Sequence, residues 1–162
     1  MTIPLLATKL YIPPPRPNLV PRPRLVERLN EGLRQHRRLT LVSAPPGFGK
    51  TTVVAEATAG CGRPTAWLSL DGADRDPSRF LAHVIAALRT VEAGIGENVL
   101  TALDAPRLPP PESLVTALVN DLADAGGLVL VLDDYHAIDS TAVDTILGLL
   151  VEYLPPDVHV VI

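Results

Sequence analysis

The sequence predicts an α/β fold with a mainly parallel sheet, and three observations predict it. Four short apolar runs with a β-branched bias, at 39–42, 64–70, 128–132 and 158–162, alternate with stretches whose apolar residues recur at helical spacing. The run Leu128-Val129-Leu130-Val131-Leu132 is apolar at every position, as a strand buried on both faces requires. Between the first run and a helical stretch lies a glycine-rich turn, a strand–turn–helix order that suits a ligand at the carboxyl end of a sheet.

Taken in order, the chain opens with an arm. Seven of its seventeen prolines fall in the first 23 residues, so this segment has little regular structure of its own. Leu5, Leu6, Leu10, Tyr11, Ile12, Leu19 and Val20 make it too apolar for a free tail, and it is expected to lie across the domain. From Pro23, a proline suited to the first helical position, Leu25, Val26, Leu29 and Leu33 mark one face of a helix ending near Gln35 or His36. Arg37-Arg38 leads into the strand at 39–42. Residues 1–37 are thus arm and first helix, and 38–162 the core.

After the turn, Val53-Val54-Ala55-Glu56-Ala57 continues as a helix until Gly60 and Gly62 break it. The strand at 64–70 ends at Asp71-Gly72. Asp76-Pro77 starts a helix, with Asp as cap and Pro at the first position, and Phe80, Leu81, Val84, Ile85, Leu88 and Val91 give its buried face. His83 reads as a surface or packing histidine on it. Residues 92–111 read as a linker with one or two helical turns near Val99. Glu112-Ser113 opens a helix carrying Leu114, Val115, Leu118, Val119 and Leu122, stopped by Gly126-Gly127. Beyond the strand at 128–132, Asp139 or Ser140 caps a helix from Thr141 that buries Val143, Ile146, Leu147, Leu150, Val151 and Leu154. Pro155-Pro156 stops it. The strand at 158–162 then ends the chain with no closing helix, and the core is expected to be a truncated piece of a longer one.

The chemistry sits in two places. The turn is Ser43-Ala44-Pro45-Pro46-Gly47-Phe48-Gly49-Lys50-Thr51-Thr52, a phosphate-binding loop G-x-x-x-x-G-K-[ST] with Ala44 where the first glycine is expected. Backbone amides in a helix's first turn have no partner within it, and the aligned peptide dipoles favour an anion there. Pro45 and Pro46 have no N–H to donate, so the cradle is expected from Gly47, Phe48, Gly49, Lys50, Thr51 and Thr52. Lys50 would reach the β- and γ-phosphates of ATP, and the Thr51 hydroxyl would bind Mg²⁺.

The second place is Asp133-Asp134, at the carboxyl end of the apolar strand. Asp133 is the candidate Mg²⁺ ligand. Asp134 is the candidate to orient an attacking water or take its proton, so Lys50, Asp133 and Asp134 are the candidate catalytic residues. Either element alone has a plain structural alternative, a tight turn containing Gly-Lys-Thr or a pair of helix-capping acids. Together they point to nucleotide binding.

At 162 residues and 47% hydrophobic, the chain can bury a single core. A formal net charge of −4 argues against this segment itself binding nucleic acid. Residues 1–63 hold ten Lys and Arg against three acids, most simply a solvated basic face. A lone cysteine, Cys61, excludes an intramolecular disulfide and reads as a small packing residue. The first nine residues lack the basic and apolar parts of a signal peptide, and no run approaches the roughly 18 apolar residues of a membrane span. The expected location is cytoplasmic, with no membrane partner.

With these residues in hand, the chain resembles the MalT-like ATP-binding transcriptional regulators of the LuxR superfamily, members of the STAND group of signal-transducing ATPases. The resemblance rests on Thr8-Lys9-Leu10 with the Pro-rich stretch after it, Leu19-Val20-Pro21-Arg22 with Arg24-Leu25, residues 43–52, Trp67-Leu68-Ser69-Leu70-Asp71 with Asp76-Pro77 and Phe80, and residues 130–136. It implies a P-loop NTPase core of the ASCE/STAND type with the strand at 158–162 inserted between the P-loop strand and the Asp133 strand. It also implies that Val20, Pro21 and Arg22 lie beside the adenine, and that His136 can sense the γ-phosphate.

The implied activity is a nucleotide switch that rests with ADP, self-associates with ATP and an inducer, and hydrolyses ATP slowly. Inducer and DNA would be bound by regions outside this chain. Two other readings remain at this stage: a metabolic P-loop enzyme such as a small-molecule kinase, and a degenerate P-loop domain that only makes protein contacts.

Overall fold

A computed structural model describes residues 3–162. Met1 and Thr2, part of the segment read for a signal peptide, lie outside them. The sheet has four strands, β1 (Leu39–Thr40), β2 (Thr65–Ser69), β3 (Leu128–Asp133) and β4 (Val158–Val161), in the order β1-β4-β3-β2. All three pairings are parallel, with Leu39 opposite Val160, Leu130 opposite Val160, and Ala66 opposite Leu130. The last strand therefore inserts beside β1, as the resemblance implies.

Six α-helices connect and cover the strands: α1 (Pro23–Arg34), α2 (Lys50–Ala59), α3 (Pro77–Leu88), α4 (Glu97–Leu103), α5 (Pro111–Ala125) and α6 (Thr141–Tyr153). Because side chains alternate across a strand, β3 feeds two cores at once. Leu128, Leu130 and Leu132 join the larger one, with Phe80, Leu81 and Leu88 of α3, Leu118 of α5 and Ile146 of α6. Val129 and Val131 join the smaller one, with Leu33 of α1, Val54 of α2 and Trp67 of β2. Helices on both faces explain why the run carries no polar residue.

The predicted caps are present where the sequence allows a choice to be made. Asp76 accepts from the Arg79 amide ahead of α3, with Pro77 as the first helical residue. Of Asp139 and Ser140, it is Ser140 that caps α6, through the Val143 amide. The stretch read as a linker contains a seven-residue helix, α4, entered through Gly96 in the left-handed conformation. His83 is a packing histidine, 1% exposed.

Two elements differ from their expected extents. β1 is assigned only over Leu39–Thr40, although the Val42 amide still donates to Ile162 O at 2.7 Å. The arm packs at its start, where Ala7–Leu10 forms a 3₁₀ turn, Lys9 is buried and Leu10 lies on the larger core. Tyr11, Ile12 and Val20 beyond it are exposed.

His159 fixes β4 beside β1. Its Nδ1 donates to the Arg37 carbonyl, which leaves Nε2 to accept from Thr40 Oγ1 at 2.8 Å. Burial, opposed by the Arg37 bond and aided by the Arg63 charge, holds the imidazole pKa below its usual value. The folded state thus keeps His159 neutral while the unfolded chain takes up a proton below about pH 6.5. Stability from this residue is full above that pH and falls on acidification, by at most about 1.4 kcal/mol per pH unit within the window. Urea midpoints at pH 7.5 and 5.5 should differ more for the wild type than for His159→Gln. Equal differences would remove His159 as the cause.

Candidate functional site

The site forms where β1 and β3 end. After β1 the chain turns through Gly47 and Gly49, with φ of +84° and +76°, a region that favours glycine. Gly49 is the residue before the first turn of α2, so the amides of Lys50, Thr51 and Thr52 stand at that helix's N-terminus. The Phe48 amide closes the turn onto Pro45 O at 3.4 Å, and its ring is 56% exposed at the rim. Lys50 Nζ donates to Ala44 O at 2.5 Å, so the ammonium lies across the loop it belongs to. Ala44, the departure from the glycine pattern, serves through its carbonyl.

The two motifs meet. Thr51 Oγ1 lies 2.9 Å from Asp133 Oδ1 and 3.1 Å from Oδ2, a hydroxyl and a carboxylate joined across 82 residues of chain. Burial pushes the Asp133 carboxyl pKa up, as does the charge of Asp134; the Thr51 hydrogen bond and the His136 charge pull it down. An oxygen pair of this kind, one of them a partly desolvated carboxylate, suits a hard divalent cation such as Mg²⁺.

Asp134 adopts a left-handed conformation, φ +60° and ψ 33°, and begins a 3₁₀ turn, Tyr135–Ala137. Asp tolerates this better than most residues, yet such backbone is costly and concentrates at functional positions. The turn is held from two sides. Tyr135 Oη donates to Asp144 Oδ1 of α6 at 2.6 Å, and its ring meets Phe80 of α3 edge to face at 6.5 Å. Asp134 and His136 are both exposed beside Asp133.

The arm residues separate. Arg22 Nη1 donates to Phe48 O at 2.7 Å, and its guanidinium lies 3.9 Å from where a Cβ on Gly49 would stand. Val20 and Pro21 are exposed, Val20 at 73%. Beside the loop, a cavity of about 670 Å³ is lined by Arg22, Leu25, Leu29, Leu39, Phe48 and Lys50 among others. That size suits a nucleotide. The α1 residues on this list escaped the sequence reading because their helical periodicity marks them equally well as core.

The profile of a family described as the AAA ATPase domain matches residues 18–162. Among characterised proteins, the chain is 32% identical over 159 residues to the HTH-type transcriptional regulator MalT of Serratia proteamaculans (strain 568), covering 98% of this chain and 17% of that protein. It is 30% identical over 159 residues to MalT of Yersinia pestis (strain Pestoides F), with the same coverage. It is 32% identical over 155 residues to the serine/threonine-protein kinase PknK of Mycobacterium tuberculosis (strain ATCC 25618 / H37Rv), covering 93% of this chain and 14% of that protein. The chain therefore spans under a fifth of the length of these relatives.

Proposed function

The chain belongs to the AAA ATPase domain family, and from that premise we propose that it is the nucleotide switch of a signal-responsive transcriptional regulator, binding Mg-ATP and Mg-ADP and hydrolysing ATP slowly. The observation that carries this reading is the Thr51–Asp133 contact, which joins the phosphate loop to the acidic strand end. Two of the relatives are named as transcriptional regulators and one as a serine/threonine-protein kinase, and a switch that drives different output regions accounts for a shared module.

In this mechanism the amides after Gly47 cradle the phosphates, and the glycine φ values let the backbone curl around them. Lys50 exchanges Ala44 O for the β- and γ-phosphate oxygens. Thr51 and Asp133 are the residues that would hold Mg²⁺, which when bound would neutralise charge on the phosphate oxygens. Asp134 orients the water and takes its proton, and His136 reads the γ-phosphate from the same turn. Arg22, with Val20 and Pro21, closes the adenine side. Inducer and DNA are engaged by other parts of the protein, and ATP favours self-association. The proposed place of action is the cytoplasm; among the described residues no helix is long and apolar enough to cross a membrane.

Calorimetric titration of Mg-ATP and Mg-ADP into the full-length protein tests this, repeated with EDTA. One nucleotide per chain, with Mg²⁺-dependent affinity and turnover well below the roughly 1–100 s⁻¹ of kinases, is the expected result. No binding would overturn the reading in favour of a protein-contact domain. Turnover in the kinase range that needs a second substrate would favour a small-molecule kinase.

A further inference from the structure

Away from the loop, the structure buries a second group of charges. Lys9 is 8% exposed, while Asp74 and His83 are 0% and 1% exposed. Lys9 Nζ lies 2.6 Å from Asp74 Oδ2 and 2.9 Å from Asp71 Oδ2. On its other oxygen, Asp74 meets His83 Nδ1 at 2.6 Å, and His83 Nε2 faces the Pro4 carbonyl at 3.3 Å. Both ring nitrogens therefore face oxygen atoms. Arg79 adds a further positive charge, its Nε 3.8 Å from Asp74 Oδ1. Burying so many charges stabilises a fold less than apolar side chains of the same volume would, so packing alone is a poor reason for the cluster.

Its position supplies a better one. Asp71 and Asp74 form the capping box of the 3₁₀ turn Gly72–Arg75, where the chain leaves β2. Just before it, the Leu70 amide donates to Asp133 O at 2.9 Å. Within the turn, a Cβ on Gly72 would lie 3.9 Å from Ala137 O. The turn that Lys9 clamps thus rests on the turn that follows Asp134 and carries His136. Farther along the same arm, Arg22 is bonded to Phe48 O. The arm is tied at the carboxyl ends of β2 and β1, the two outer strands of the sheet, with a largely exposed stretch between the ties.

We propose that Lys9, with Asp74 and His83, is a latch that positions the Asp134–His136 turn from outside the phosphate site and holds the arm so that bound nucleotide leaves slowly. The second half of this proposal rests on the nucleotide-switch reading; the first half does not. Lys9 is a positioning residue, acting only through the turn at Gly72–Arg75.

The test compares wild type, Lys9→Met and Lys9→Arg in the full-length protein. Without nucleotide, amide hydrogen exchange at Ala137 and Ile138, which bond to Asp134 O and Tyr135 O, should rise about tenfold or more in Lys9→Met while β3 and β4 stay protected. Release of a fluorescent ADP analogue should quicken by a similar factor, about tenfold, with stoichiometry unchanged. Lys9→Arg should restore most of both, since a guanidinium can span the same two carboxylates. Should Lys9→Met fail to fold, Asp71→Asn removes the more exposed carboxylate and should shift both readouts in the same direction by less. Wild-type exchange at Ala137 and Ile138, alongside faster exchange of the freed Lys9 and Tyr11 amides, would overturn the latch. Unchanged release of the ADP analogue by Lys9→Met, despite faster exchange, would overturn its effect on nucleotide. Absence of any nucleotide binding by wild type would sink the switch reading, and the exchange data would still decide the positioning role.

Discussion

Replacing Lys50 with alanine is expected to weaken Mg-ATP binding about a hundredfold or more, because each charge-assisted hydrogen bond contributes roughly 1.5–3 kcal/mol and about 1.4 kcal/mol is tenfold. Lys50 is the first residue of α2, and its Nζ reaches back to Ala44 O at 2.5 Å. That reach lays the side chain across the loop, and in the proposed site β- and γ-phosphate oxygens would replace the carbonyl. Mg-ADP should lose less than Mg-ATP, since it offers one phosphate fewer. The brace to Ala44 is also lost, but it lies at a part-buried loop where water can take the place of the ammonium, so the nucleotide-free protein should unfold at nearly the same urea concentration. Calorimetric titration of both nucleotides, with urea unfolding as the control, decides the matter. Equal affinity in wild type and Lys50→Ala would remove Lys50 from phosphate binding, and a large loss of stability would make it a structural residue of the loop.

What the sequence revealed follows from how far apart the interacting residues lie. The loop and the acidic strand end are each local patterns, and each carries enough chemistry to be read without its partner. Their meeting at Thr51 and Asp133 then needed only the parallel sheet, which the unbroken run at 128–132 implied. The place of β4 between β1 and β3 is different, because strand order leaves no periodicity in a chain, and it came from the resemblance. Lys9 and Asp74 were opaque for a related reason. They are 65 residues apart, one in a proline-rich arm and one in a turn, and neither pattern singles out these charged side chains for burial. Arg22 is set beside the base by the resemblance alone, and the bond it makes here is to the loop carbonyl of Phe48.

Asp134→Asn should leave Mg-ATP affinity close to wild type and slow hydrolysis by roughly a hundredfold or more, the range for loss of a positioned general base. Asparagine is the informative replacement because of the backbone. At φ +60° residue 134 sits in a conformation that Asn and Asp tolerate, whereas alanine there costs about 1–2 kcal/mol. Asp134→Ala should therefore slow turnover to the same degree and also lower stability, and the difference between the two variants isolates strain from chemistry. A further consequence falls on Asp133. Its carboxyl pKa is raised chiefly by burial and also by the neighbouring Asp134 charge. Removing that charge lets Asp133 ionise at lower pH, so the acid side of Mg²⁺-dependent binding should move downward in Asp134→Asn. Single-turnover hydrolysis at neutral pH and binding titrated from pH 7 downward measure the two effects separately. Full turnover in Asp134→Asn would take Asp134 out of the mechanism. An acid edge that stays where it was would mean that the two carboxylates do not sense each other across the end of β3.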